Sequence, residues 1–194
     1  VGREATRNRI HVSGNVVNVS LLIDNLYSTY HQYSTSAYVS GRTTGGIAFL
    51  PTTSNSSTLV INMVGDNRLG CIHYTNTNKK NNALVFEGTG SLTVADADYY
   101  QVKNDYGVTG YYSNRSCSVI GSSDSADDAY NIMINSGTLY VGATKAEYCT
   151  AVGGGGNGHT NITINGGVVT AVASGIGTAL GGGTGVQLEG GEGT

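Results

Sequence analysis

The chain of 194 residues has no Trp, one Pro, two Met and two Phe, and only 12% of it is charged. That share is about half the ~25% usual in soluble domains. Good helix formers are therefore scarce, which disfavours a mainly helical fold. Lys and Arg number 10 against 13 Asp and Glu, a net charge of -3. With a pI near 5.7, the chain lacks the concentrated basic face of a nucleic-acid binder. No run reaches the ~18 apolar residues needed to span a bilayer. The start at Val1 is neither an initiator Met nor a signal peptide, and the tail from Gly190 to Thr194 carries no sorting signal. On both counts the chain reads as an excerpt of a longer protein.

Cysteine is sparse as well. Cys71, Cys117 and Cys149 permit one bridge at most and leave a thiol over. Three buried thiols and a Cys117–Cys149 bridge are both open readings. No Cys-x-x-Cys or Cys/His spacing suggests zinc, and His11, His31, His73 and His159 are scattered.

What is abundant is small and polar: 30 Gly, 22 Thr, 18 Asn and 18 Ser. Gly, Asn and Ser favour turns, while Thr, Val, Ile and Tyr favour strands. A hydrophobic share of 39% supplies a core and argues against disorder.

Repetition organises this composition. Asn131–Val141 (NIMINSGTLYV) returns 30 residues later as Asn161–Ala171 (NITINGGVVTA). Each is a short alternating strand, a Gly corner and a second strand. Ala83–Val94 (ALVFEGTGSLTV) has the same form, and Thr58–Val64 and Val16–Asp24 are earlier strands of the kind. Ala151–Gly156 is echoed by Ala179–Gly183, 28 residues on, with Ala pointing inward and Gly allowing close approach of the next layer. Strand-corner-strand units of this length predict an all-β parallel β-helix, or solenoid. One coil cannot bury its apolar stripe, whereas stacked coils share hydrogen bonds about 4.8 Å apart and one core. The inward row is Val17, Val19, Leu21, Leu59, Ile61, Leu84, Phe86, Leu92, Val94, Ile132, Ile134, Leu139, Ile162 and Ile164. Asn62, Asn135 and Asn165 follow strands and suit either a stacked amide ladder or single left-handed turns. The alternative architecture is an antiparallel β-sandwich, which calls for tight hairpins and turns every ~8–12 residues.

Residues 1–194 form a single domain in this reading, with loop insertions at 26–46 and 95–130. The first carries Tyr27, Tyr30, Tyr33 and Tyr38; the second carries Tyr99, Tyr100, Tyr106, Tyr111 and Tyr112. Long loops of this kind are commonly functional.

The segment from Asn161 to Gly183, with its NITINGGVVTA and TALGGG runs, resembles the glycine-rich right-handed β-helix repeats of large surface proteins from gut Gram-positive bacteria. The likeness covers mainly 131–185 and weakly reaches Ala83–Val94 and Thr58–Asn67. It implies a right-handed coil and an extracellular module, on a bacterial cell surface or secreted, of adhesive or ligand-binding type. Some such proteins bind host immunoglobulin and others polysaccharide. The likeness is one of repeat style and transfers no functional residue.

Catalytic signatures are wanting. β-helix pectin hydrolases carry Asn-Thr-Asp, Gly-His-Gly and Arg-Ile-Lys runs; here Gly158-His159-Thr160 stands for the second and the others are missing. Asp127-Asp128 is the one adjacent carboxylate pair, and no Gly-x-Ser-x-Gly frame occurs. Gly153–Gly158 lacks the Lys-Ser/Thr of a phosphate loop. The chain is thus expected to be no enzyme. Asp96, Asp98, Asp124, Asp127 and Asp128 offer oxygens to calcium, but without an EF-hand or nonapeptide pattern the plain reading is solvated loop carboxylates and no cofactor. Tyrosine remains, with 13 residues. Tyr among Ser, Gly and Asn is the composition of protein-binding loops. The nine tyrosines above are the candidate ligand-binding residues. The expected partner is a host extracellular protein, with immunoglobulin as one candidate. A carbohydrate-binding module and a ligand-free stalk are the alternatives, as is plain packing of these rings onto the core.

Overall fold

The computed structural model describes residues 10–14, 18–28, 46–51, 56–74, 76, 81–95, 101–103, 109–111, 118–122, 128–143, 150–155, 158–173 and 177–183. Among them there is no helix, and so none long and apolar enough to cross a membrane.

The chain visits three sheets in rotation. The first circuit is β1 (Ile10–Gly14), β2 (Asn18–Asp24) and β3 (Tyr27–Ser28). The second is β4 (Ile47–Pro51), β5 (Thr58–Val64) and β6 (Asp66–Leu69). The third is β7 (Ile72–Tyr74), β8 (Ala83–Gly88) and β9 (Ser91–Ala95), followed by a hairpin of β10 (Gln101–Lys103) and β11 (Thr109–Tyr111). The fourth is β12 (Ser118–Gly121), β13 (Ala129–Ile134) and β14 (Thr138–Ala143). The fifth is β15 (Thr150–Gly153), β16 (Thr160–Ile164) and β17 (Val168–Ala173), and β18 (Leu180–Gly181) begins another. The sheets run β1-β4-β7-β12-β15-β18, β2-β5-β8-β13-β16 and β3-β6-β9-β14-β17. Among the described residues all pairing within the three is parallel, and only β10–β11 is antiparallel. The architecture is all-β and consistent with a parallel β-helix. Among the described residues its sheets do not have the antiparallel pairing of a β-sandwich.

Register follows the repeat. Leu59, Leu84, Ile132 and Ile162 are successive partners, as are Ile61, Phe86, Ile134 and Ile164. From Leu59 to Ile134 these side chains are fully buried. Burying each contributes on the order of 1.5–3 kcal/mol. In the sheet of β2 and β16, those two strands are the edges. Their inward residues have a neighbour on one side only. Val19, Leu21 and Ile162 are thus half-buried, and Ile164 is 48% exposed, contrary to its expected core position. Val17 lies outside the described residues.

The Gly echo is a close-packed column. Gly121, Gly153 and Gly181 are register partners with φ of 133°, 143° and 136°. A methyl group built on Gly153 would overlap the carbonyl oxygen of Gly181, so the rungs meet only because no Cβ intervenes.

Corners use Asn. Asn165 donates to the Asn135 side chain at 2.8 Å, one step of the expected ladder. Asn62 is not part of it, because its partner in β8 is Glu87. Asn76 and Asn82, each 1% exposed, tie corners from inside. The Asn76 amide donates to the Asn82 and Tyr130 carbonyls, both at 3.0 Å, and Asn82 accepts from the Ser57 N–H at 3.0 Å. Buried amides satisfied in this way remove the desolvation cost of a turn's backbone groups.

Besides the β10–β11 hairpin, two strands that belong to the stack lie within spans expected to be insertions. Tyr27–Ser28 pairs with Arg68–Leu69, and Ser118–Gly121 is buried throughout between β7 and β15. Neither is long enough to show alternation.

Candidate binding site

The two Tyr-rich insertions leave one corner of the stack. Ser28, where the first departs, and Val94, one residue before the end of β9, are both partners of Leu69. The chain returns in β4 and β12, where Ile47 and Ile120 are both partners of Ile72. Between Leu69 and Ile72 the second circuit turns the same corner with Gly70 and Cys71 alone. The insertions are thus rooted two rungs apart, about 10 Å, on either side of a tight turn. Sequence order gives no hint of this, since Ser28 and Val94 are far apart along the chain.

Of the nine candidate tyrosines, Tyr27 is placed in full, half-buried in β3. Tyr111 is placed by its backbone, opposite Gln101 in the β10–β11 hairpin of the second insertion. Tyr30, Tyr33, Tyr38, Tyr99, Tyr100, Tyr106 and Tyr112 lie outside the described residues, as do Cys117, Cys149, Asp96, Asp98, Asp124 and Asp127. Cys71 is buried at the tight corner, 7% exposed.

Tyr27 borders a groove of about 400 Å³ lined by Leu26, Tyr27, Asp66, Asn67, Arg68 and Thr93. Alternation along β6 makes the groove. Asn67 and Leu69 face the core, 1% exposed each, while Asp66 and Arg68 face solvent. The Arg68 guanidinium sits 5.9 Å from the centre of the Tyr27 ring, within cation–π range. Asp66 accepts the hydroxyl of Ser91. Beneath them Asn67 binds three circuits together. Its side-chain oxygen accepts from the Leu26 N–H at 2.9 Å, and its amide donates to the carbonyls of Val64 at 2.9 Å and Ser91 at 3.1 Å. The groove floor is therefore fixed before any ligand arrives. Asp66, Asn67, Arg68 and Thr93 were not expected from sequence. The pattern Asp-Asn-Arg-Leu after Gly65 alternates, but only the pairing with β3 and β9 brings these residues to Tyr27.

Elsewhere, the His159 ring nitrogen Nδ1 lies 3.1 Å from the Asp128 carboxylate, and the His159 N–H donates to the same oxygen at 2.7 Å. Such a pair can relay a proton, but the neighbouring Thr160 hydroxyl is turned to the Ala129 carbonyl at 2.7 Å. Among the described residues no three His, Cys, Asp or Glu converge as a metal site would require.

No protein-family model matches the chain, and comparison with curated proteins and with solved structures returns no match.

Proposed function

We propose that the chain is a right-handed parallel β-helix acting as a non-catalytic binding module of a bacterial surface or secreted protein. It engages a host extracellular protein, immunoglobulin being one candidate, through the two Tyr-rich insertions. The observation that supports this reading is the shared root of the insertions, at Ser28 and Val94 on either side of Leu69. Two segments of paratope-like composition on one corner combine into a single surface larger than either alone. A stack held by buried ladders provides a rigid base for them.

Pull-down from intestinal secretions, with mass spectrometry of the eluate, tests the proposal. Alanine at Tyr99, Tyr100, Tyr106, Tyr111 and Tyr112 should abolish capture of a host protein without moving the melting temperature. Alanine at Tyr30, Tyr33 and Tyr38 should weaken it. Capture that survives both sets of changes rejects the site. A chain that retains nothing from mucus or serum is a stalk.

A further inference from the structure

A row of side chains crosses the outer face of the third sheet. Tyr27, Arg68, Thr93, Tyr140 and Thr170 occupy one register position on five successive strands. Two residues upstream, Asp66, Ser91, Thr138 and Val168 form a second row beside it. The intervening Asn67, Leu92 and Leu139 are 1% exposed, so both rows stand on the solvent side. Tyr140 is 38% exposed, and it lies three rungs from Tyr27, about 14 Å along the stack. The groove under Tyr27 and Arg68 occupies the first part of that length.

The chemistry of these rows is selective. Arg68 only donates hydrogen bonds, Asp66 only accepts, and Ser91, Thr93, Thr138 and Thr170 do both. Two aromatic rings add apolar surface. One cation beside one carboxylate leaves no net field to draw an ionic ligand. An extended peptide is poorly served. The strands between β3 and β17 use their backbone groups on both sides, so none remain for strand addition across the face. What fits is a ligand of many hydroxyls, each donating and accepting, with C–H faces to lie on tyrosine.

We propose that this outer face is a saccharide-binding site, which takes a neutral oligosaccharide or polysaccharide lying along the stack from the groove at Tyr27–Arg68 to Tyr140. The groove provides the anchoring hydrogen bonds, and Tyr140 the platform for a sugar ring further along. This site is separate from the insertions, and shares with them Leu26 and Tyr27 at the first one's start.

Affinity electrophoresis of the full chain in gels containing single polysaccharides reads the proposal. The probes are neutral (a β-glucan, a galactomannan, a starch) and acidic (polygalacturonate, dextran sulfate). At least one neutral polymer should retard the chain. Arg68→Ala and Tyr140→Ala should each weaken that retardation about tenfold, with unchanged melting temperatures. Glu87→Gln, on another sheet, should leave it intact. Retardation by acidic polymers alone, by no polymer, or as strong in Arg68→Ala and Tyr140→Ala as in the parent chain overturns the proposal. Because the insertions stay in place throughout, failure here leaves the protein-binding reading standing, and loss of that reading does not touch this one.

Discussion

The hydroxyl of Tyr74 donates a 2.8 Å hydrogen bond to the backbone carbonyl of Tyr130, tying the end of β7 to the strand of the next circuit. Its ring is fully buried and stacks on Phe49, with centroids 5.4 Å apart. Burial pushes the Tyr74 phenol well above its ordinary value of 10.0, with the hydrogen bond to Asn76 opposing in part. The folded state therefore holds this proton more tightly than the unfolded chain does. The associated stability is whole below the unfolded value and is lost as pH rises toward the folded one.

Unfolding by urea should accordingly show flat stability up to about pH 9 and a fall of roughly 1.4 kcal/mol per pH unit above about pH 10. Tyr74→Phe should remove that slope. It should cost only about 1 kcal/mol at neutral pH, because the Tyr130 carbonyl keeps its bond from Asn76. An alkaline slope unchanged in Tyr74→Phe would place its origin in another group.

The column of Gly121, Gly153 and Gly181 predicts intolerance to the smallest side chain. Gly153→Ala combines a φ of 143° with overlap on the Gly181 carbonyl. The expected loss is about 3 kcal/mol or more. Thr170→Ala, on the outer face, should stay within about 0.5 kcal/mol. Equal melting temperatures for the two variants would show that the rungs can separate at no cost.

Ile134 and Ile164 share one register position, yet the first is fully buried and the second 48% exposed. Ile134→Ala should cost about 3 kcal/mol through lost burial and the cavity left behind. Ile164→Ala should cost less than half of that, since one side of the residue already meets solvent. Chemical denaturation of the two variants compares them directly. Equal losses would mean that the edge strand is covered in solution.

These comparisons also indicate which parts of the structure were readable in advance. The offsets that align Leu59 with Leu84 and Ile132 with Ile162 are the observed pairings, because long alternating strands leave a period-2 trace that a one-residue slip would destroy. Three strands of the first sheet left no such trace. Ile72–Tyr74, Ser118–Gly121 and Thr150–Gly153 are buried on both alternations, and a short run with no exposed position has no period to detect. The groove was hidden for another reason. Tyr27, Arg68 and Thr93 meet across three circuits, and adjacency between circuits depends on how much chain each corner consumes. Composition marked the tyrosines of the insertions, but not the corner on which both insertions stand.

That corner gives the sharpest separation of scaffold from binding surface. Val94 and Ile120 stand in register over Leu69 and Ile72, which the second circuit joins through Gly70 and Cys71. Joining Ala95 directly to Val119, which keeps the core side chain of Val119, therefore spans with two residues a gap this fold already closes with two. Shortening a loop also lowers the entropy cost of closing it, if slowly. The truncated chain should melt within about 4 °C of the parent, the equivalent of roughly 1 kcal/mol or a little more at this size. Host-protein capture should be lost with the removed segment, while retardation by a neutral polysaccharide persists. A truncated chain that fails to fold would instead assign the tyrosines of the second insertion to packing against the stack, and the protein-binding surface would have to be sought elsewhere.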